Sequence, residues 1–478
     1  MKNKALLFTL NLLLRFRIIA AILAGKIIMR LVRFLGRGQG TSLPGMVALK
    51  IYPGILGHLA RHTRRGVVIV TGTNGKTTTN NMVNQVIGGA GCRAVVNTEG
   101  ANLITGVTTA FLEAASLQGR VDRDYALLEV DEASFPRITQ QVSPDIVVVT
   151  NFFRDQLDRY GEVDKTISLI REALVELPAT RLVLNADDPL VAHLGASTGL
   201  QATYYGLGEH SQVSFFSSAA REGRFCPDCE RELDYDYYHY SQLGSYHCPD
   251  CGFSRPFAAV EGLEAFAASG AASCRLNYPG GSRPLVLPLS GLYNLYNSLA
   301  AFTACLLLDL EPELIIRALG RYTTATGRME RFRCKNKPVL LNLVKNPTSF
   351  NEGLNSMLTL PGPLDVLIAI NDNSPDGKDI SWLWDVDFEV LEEHHHCLNS
   401  VVCTGLRGAE MAVRLKYAGV PVNKVVVRDM PEAVKYVLSG AGATVYILSN
   451  YTALWPLERV LNGYAKRESY VKSLPSVP

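Results

Sequence analysis

Residues 71 to 79 read Thr-Gly-Thr-Asn-Gly-Lys-Thr-Thr-Thr and follow directly on the apolar run Val67-Val68-Ile69-Val70. A buried strand that enters a glycine turn and then a helix opening on Lys-Thr is how a chain cradles a nucleotide phosphate. Gly72 and Gly75 allow the tight turn, so that successive N–H groups from Thr73 and Asn74 through Thr78 can face an anion. Lys76 is placed to reach the outer phosphates of ATP, and the Thr77 hydroxyl to sit on magnesium. The magnesium also needs a carboxylate beside Thr77. Candidates end the next apolar runs: Glu129, Asp131 and Glu132 in Leu-Glu-Val-Asp-Glu, then Asn151, Asp155 and Asp158, then Asn185-Ala-Asp-Asp-Pro189. A second chemistry lies in Cys226-Pro-Asp-Cys229 and Cys248-Pro-Asp-Cys251, separated by eighteen residues. Two thiolates on one tight knuckle share a side of a tetrahedral ion and the second knuckle closes it, which predicts structural zinc with no open position. His247 is expected to be an ordinary exposed histidine.

The elements that must hold these groups can be read from apolar periodicity. Strand candidates recur at Val67–Val70, Ala94–Asn97, Tyr125–Val130, Ile146–Thr150 and Arg181–Asn185, mostly with helix-compatible segments between them. That alternation predicts an α/β fold with a mostly parallel sheet and ligands at the carboxyl ends of its strands. A second alternating pattern, Val339–Leu343, Asp365–Ile370, Ser400–Cys403, Lys424–Val427 and Val445–Leu448, predicts a smaller Rossmann-like α/β domain. The expected division is an N-terminal helix over 1–45, an ATP-binding domain over 46–325 with a zinc ribbon inserted at 220–256, and a C-terminal domain over 326–478. At 478 residues, 47% hydrophobic and 19% charged, the chain has ample core for this. Fourteen of its 47 Lys and Arg precede the first acidic residue, Glu99, so the remainder carries 33 basic against 45 acidic residues. Nothing in that balance suggests a nucleic-acid partner. Ten cysteines in a chain this long do not make a disulfide scaffold, and the expected compartment is the reducing cytosol.

The basic excess gathers in residues 1 to 37. Their longest uncharged apolar stretch, Ala5 to Leu14, is well short of the roughly 20 residues that span a bilayer. On a helical wheel Lys4, Arg15, Lys26, Arg30, Arg33 and Arg37 share a stripe, with Arg17 the exception and Leu, Ile, Phe and Met over most of the rest. This predicts a helix in the membrane interface at the inner face, contacting anionic headgroups. The alternative is an amphipathic helix docked on the protein's own body.

The phosphate loop is of the short Gly-Thr-Asn-Gly-Lys-Thr form, which resembles the Mur ligase and folylpolyglutamate synthase superfamily. The resemblance implies that ATP activates a carboxylate as an acyl phosphate, which a nitrogen nucleophile attacks. It implies that Glu129 binds magnesium, that Asn294 in Gly291-Leu-Tyr-Asn-Leu-Tyr-Asn297 belongs to the nucleotide site, and that Arg328 in Thr326-Gly-Arg-Met-Glu330 meets the phosphates at a hinge. The segment Asn151 to Gly161 carries Gln156 and Tyr160 where the superfamily has histidines, and Leu169-Ile170-Arg171 offers no lysine for carbamylation. A Mur-type core with an inserted Cys₄ ribbon is similar to the MurT family, the ligase subunits of lipid II isoglutaminyl synthases. That family amidates the α-carboxyl of D-glutamate in the peptidoglycan stem peptide, on lipid II or a related precursor, with ammonia from a separate glutaminase, GatD. Asn371-Asp372-Asn373-Ser374-Pro375-Asp376 is similar to that family's Asp-Asn-x-Ala-Asp motif. The resemblance implies that Asp372 completes a Cys-His-Asp triad with the partner's Cys and His, although Asp376 is close enough to compete for that role.

Two departures bear on the nucleophile. Ligases that add an amino acid open this domain with a motif like Asp-Asp-Tyr-Ala-His-Asn-Pro, whereas here Leu341-Asn-Leu-Val-Lys345-Asn-Pro347 lacks the acids and has Lys345 for the His. No cysteine sits in the Gly-x-Cys-x-Gly elbow of a glutaminase, so a partner must supply ammonia. The competing readings are a ligase that adds an amino acid and a non-catalytic ATP-binding scaffold.

Overall fold

The computed structural model describes residues 2–34, 42–97, 100–154, 163–211, 222–268, 270–323 and 329–468, with side chains from Leu13 onward. The first apolar run becomes β1 (Gly66–Thr71), in which Val68 and Val70 enter one core while Val67 and Ile69 enter another. A strand buried on both faces is what a continuous β-branched run encodes, because successive side chains alternate across the sheet. Around it lie β2 (Ala94–Val96), β3 (Tyr125–Glu129), β4 (Ile146–Val149), β5 (Arg181–Asn185) and β6 (Ala202–Leu207). All pair in parallel in the order β6-β5-β4-β1-β3-β2. β1 is therefore central, with β3 and β4 on either side, and the phosphate loop leaves from the switch point where this topology opens a crevice.

The sheet does not stop at β5, the last of its strands foreseen from sequence. β6 continues it, and β9 (Val260–Ala268), β10 (Ala271–Tyr278) and β11 (Gly281–Leu287) add an edge in which β10 is antiparallel to both neighbours. β9 reads Val-Glu-Gly-Leu-Glu-Ala-Phe-Ala-Ala, rich in residues with little intrinsic strand preference, so tertiary pairing rather than local propensity makes it a strand. Between β6 and β9 the hairpin β7 (Asp234–Tyr240) and β8 (Leu243–His247) stands apart as its own two-stranded sheet.

The C-terminal sheet has the order β16-β15-β14-β17-β13-β12-β18. β13 (Lys337–Leu343), β14 (Leu364–Ala369), β15 (Leu398–Thr404), β16 (Val425–Val427) and β17 (Thr444–Ser449) are parallel, and all five match runs read from sequence. β12 (Glu330–Cys334) and β18 (Lys466–Arg467) close one edge antiparallel. Cores cover both faces of this sheet as well.

The N-terminal helix spans Lys2–Phe34. Ile18, Ala21, Ile22 and Met29 are buried against the body, whereas Phe16, Leu23, Ile27, Leu31 and Phe34 are exposed. Of the basic stripe, Arg33 pairs with Glu113 at 2.7 Å and Lys26 donates to the Glu113 carbonyl at 3.4 Å. The helix is thus docked on the protein through one apolar face and presents a second to solvent. Among the described residues no helix is long and apolar enough to cross a membrane.

Candidate active site and metal centre

The phosphate loop takes its shape from two glycines and one asparagine. Gly72 (φ 114°) and Gly75 (φ 86°) hold left-handed backbone, and a Cβ on Gly75 would lie 2.1 Å from Asn297 Oδ1. No other residue fits there. Asn151, at the end of β4, clamps the loop: its Oδ1 accepts from the Asn74 N–H at 2.8 Å and its Nδ2 donates to the Asn74 carbonyl at 3.0 Å. The helix Lys76–Gly89 starts on Gly75 with no side-chain cap, and Thr73 to Thr78 line a cavity of about 290 Å³ in front of it. A helix N-terminus carries partial positive charge that favours a phosphate.

Lys76 is buried, and its Nζ donates to the carbonyls of Gly72 (2.5 Å) and Thr73 (3.3 Å) and to Glu132 Oε1 (3.0 Å). Burial alone would lower its pKa, but Glu132, Asp131 and Glu129 outweigh burial and hold it above the ordinary value, so the ammonium stays charged. Glu132 as the partner of Lys76 was not legible in the sequence, where it was one acid in a cluster. Glu129 ends β3, and its backbone is gripped by Asn97, which donates to its carbonyl at 2.8 Å and accepts from its N–H at 2.9 Å. Thr77, Glu129 and Asp131 all line the cavity, so one hydroxyl and two carboxylates converge there, an oxygen set that fits magnesium. Asn294 lines it too, with its Nδ2 donating to the Ser290 carbonyl at 2.7 Å. Arg328, Asp155, Asp158 and the Gln156 and Tyr160 substitutions lie outside the described residues.

The opposite wall comes from the C-terminal domain. Lys345 Nζ donates to the Thr73 carbonyl at 3.0 Å. Asn346 Nδ2 donates to Asn74 Oδ1 at 3.0 Å and its Oδ1 accepts from Asn74 Nδ2 at 3.3 Å, while the same Oδ1 caps the helix Pro347–Leu358. The segment that replaces the amino-acid-binding motif therefore touches the phosphate loop itself. Tyr240, Tyr293, Asn342 and Glu352 complete this part of the cavity, and none of them carried a motif that could have marked it in advance.

Cys226, Cys229, Cys248 and Cys251 bring four sulfurs within 4.8 Å of one another. Cys226 Sγ lies 3.5 Å from Cys251 Sγ, and Cys229 Sγ 3.4 Å from Cys248 Sγ. Four thiols at such spacing suit a tetrahedral zinc with a closed shell. His247 is exposed and faces Asp234 at 3.9 Å. The knuckles have only a small core, Leu233 and Tyr246 with Ala192 from a neighbouring helix, and the ribbon is tied down by His193 Nε2 to Asp228 Oδ1 at 2.9 Å. Gln242 Nε2, at the hairpin turn, donates to the Phe152 carbonyl at 2.5 Å, and Tyr240 beside it reaches the cavity.

Asp372 follows β14 and lies apart from the residues lining the cavity, although Pro375 of the same loop is among them. Its Oδ2 accepts from Arg407 Nη2 at 2.8 Å, and Arg407 also pairs with Glu410 at 2.6 Å. The hydrogen bond from Arg407 holds the Asp372 carboxyl below its usual range. Asp376 is buried and occupied by the backbone N–H and hydroxyl of Thr452.

The comparisons agree with this geometry. Residues 70–232 match the Mur ligase middle domain and residues 343–454 the MurT ligase C-terminal family. The chain is 37% identical to the lipid II isoglutaminyl synthase (glutamine-hydrolyzing) subunit MurT of Staphylococcus aureus strain COL, covering 92% of this chain and 97% of that one. It is 32% identical to the subunit of the same name from Streptococcus pneumoniae R6, covering 89% and 93%. Among solved structures, a pseudomurein peptide ligase type C from Methanothermus fervidus superposes with a TM-score of 0.64 at 24% identity over 85% of this chain and 80% of that one. The folylpolyglutamate synthase of Mycobacterium tuberculosis, complexed with ADP and AMPPCP, gives 0.61 at 15% over 92% and 99%. These two likenesses are of fold. Phosphate loop, Cys₄ ribbon, rebuilt C-terminal domain and near full-length identity converge, and the chain belongs to the MurT family of Mur-type ligase subunits.

Proposed function

We propose that this chain is the ligase subunit of a lipid II isoglutaminyl synthase, an ATP-dependent enzyme that amidates the α-carboxyl of D-glutamate in the peptidoglycan stem peptide. The observation that carries the reading is the meeting of a complete phosphate loop with a C-terminal domain of MurT type across one cavity. Lys76 and the amides from Thr73 to Thr78 hold the ATP phosphates, with Asn294 beside them. Thr77 and Glu129 would hold magnesium, which when bound would supply positive charge to neutralise the phosphates. Arg328 adds positive charge at the same phosphates. Electrostatic stabilisation of this kind carries most of a phosphoryl transfer. Ammonia then attacks the acyl phosphate, and an amide and phosphate leave. Zinc on Cys226, Cys229, Cys248 and Cys251 is structural.

As a subunit, the chain works with a second chain, and a GatD-type glutaminase is the partner this reading assigns. Asp372 orients the partner's histidine. Its partly accessible carboxylate supports this choice over Asp376, which Thr452 already occupies. The exposed strip of the N-terminal helix rests on the inner membrane face, where a lipid-linked substrate is met. The division into an N-terminal helix, a ligase core with inserted ribbon and a C-terminal domain that meets the partner follows the same reading.

The test supplies the chain, alone and with its glutaminase, with ATP, a D-glutamate-containing stem precursor and either ammonium or glutamine. Loss of about one mass unit from the precursor is expected with ammonium for the chain alone, and with glutamine only when the partner is present. Condensation with an added amino acid, or ATP binding without product, would overturn the reading.

A further inference from the structure

The reaction requires a nitrogen nucleophile to reach the cavity, and one side chain there has no other evident task. Glu352 lies on the helix Pro347–Leu358, whose capping Asn346 touches the phosphate loop. It lines the same cavity as Lys76 and Thr77. Its Oε1 accepts from Asn355 Nδ2 at 2.9 Å, and no lysine, arginine or histidine among the described residues pairs with it. Glu352 is partly buried, and a carboxylate partly withdrawn from water without a cation is ordinarily compensated. Tyr240 and Tyr293 line the cavity with it, and aromatic faces attract small cations. One carboxylate among tyrosine rings does not supply the six or more oxygens of a divalent metal. A small monovalent cation suits it.

We propose that Glu352 is the ammonium-binding site of the ligase and the base that turns bound ammonium into the attacking ammonia. The proposal rests on the amidating reading above. Ammonium gives one proton to the Glu352 carboxylate. The ammonia so formed attacks the acyl-phosphate carbonyl carbon, the C–N bond forms, and the C–O bond to phosphate breaks. Phosphate leaves with that electron pair and takes the proton shed by the nitrogen, and Glu352 returns its own proton to water. Burial raises the Glu352 carboxyl to about 7, in the range where it can both hold and accept a proton. The titratable groups around it are Tyr240 from the ribbon hairpin, Tyr293 from the helix Leu292–Leu307 and Tyr446 from β17, and burial holds Tyr240 and Tyr446 well above their ordinary values and so uncharged.

The experiment compares the full-length chain with Glu352→Gln, in complex with its glutaminase and alone, using ammonium or hydroxylamine, which is uncharged at neutral pH, as the nucleophile. Expected are a rise of about tenfold or more in KM for ammonium, the scale of losing a hydrogen bond to a charged group, with KM for ATP unchanged. Hydroxamate formation from hydroxylamine should be retained, and the ammonium defect should shrink toward alkaline pH as free ammonia replaces ammonium. Ammonium chloride should raise Tm of the native chain, and not of the variant, relative to sodium chloride at equal ionic strength. An unchanged KM for ammonium, or equal losses with both nucleophiles, would overturn the assignment. If the native chain made neither amide nor hydroxamate, the ligase reading itself would fail, and the Tm comparison would still decide whether Glu352 binds the cation.

Discussion

At the scale of single residues, the site is a set of charges held in place before any substrate arrives. Lys76 and Glu132 form a buried pair at 3.0 Å, with both side chains less than a tenth exposed. The attraction is offset by the cost of removing both charges from water, so the pair itself adds little net stability, whereas leaving one member alone costs about 3–5 kcal/mol. Lys76→Met should therefore destabilise the chain by about that amount in urea denaturation and abolish ATP-dependent amidation. Lys76→Met with Glu132→Gln should recover most of the stability and none of the activity. Equal stability of the single and double variants would show that Glu132 is not the compensating charge. Lys76 and Thr77 were legible in the sequence because a phosphate loop is a contiguous signature. Glu132 and Glu352 were not, because each meets its neighbours only when separate strands and helices are brought together.

At the scale of elements, the ribbon is more than an ornament on the ligase core. Its cysteine spacing announced a four-sulfur cluster able to hold a metal. What spacing could not disclose is where the hairpin turn goes. Gln242 bonds the Phe152 carbonyl, and Phe153, the next residue, lines the cavity together with Tyr240. The knuckles have only a small core, so a metal bound there would supply much of the folding free energy of this element. Stripping zinc with a chelator, or substituting Cys229→Ser, should lower Tm and ligase activity together, although no cysteine reaches the cavity. Zinc content measured beside activity checks this. Full activity in zinc-free protein would separate the ribbon from the site. Element prediction failed where local preference was weak: β9, with its glycine and alanines, is a strand because β6 and β10 pair with it.

At the scale of the whole molecule, two α/β sheets close on one cavity and a docked helix leaves an apolar face exposed. Asn74 and Asn346 bridge the sheets amide to amide, Lys345 reaches the Thr73 carbonyl, and Arg154 meets Asp385 at 3.4 Å. On the N-terminal helix, Phe16→Ser, Leu23→Ser and Ile27→Ser alter only exposed positions, so stability should hold to within about 0.5 kcal/mol. Sedimentation with vesicles of anionic lipid should fall sharply in that triple variant, and salt should weaken binding of the parent chain, since each nearby Arg or Lys contributes about 1 kcal/mol. Equal sedimentation of both chains would leave the helix with only its docking role. The sequence by itself determined the chemistry that is local: the phosphate loop, the four clustered cysteine thiols, the loop carrying Asp372 and the parallel strands. These depend on residues close together in the chain, whose backbone geometry or hydrophobic period is set by neighbours. The tertiary structure alone decided what depends on distant segments meeting: the partner of Lys76, the contact of Lys345 and Asn346 with the phosphate loop, the tyrosine wall, the placement of Glu352, and which face of the N-terminal helix is left to water. Burial and charge compensation are properties of packed surfaces, and they exist only once those surfaces meet.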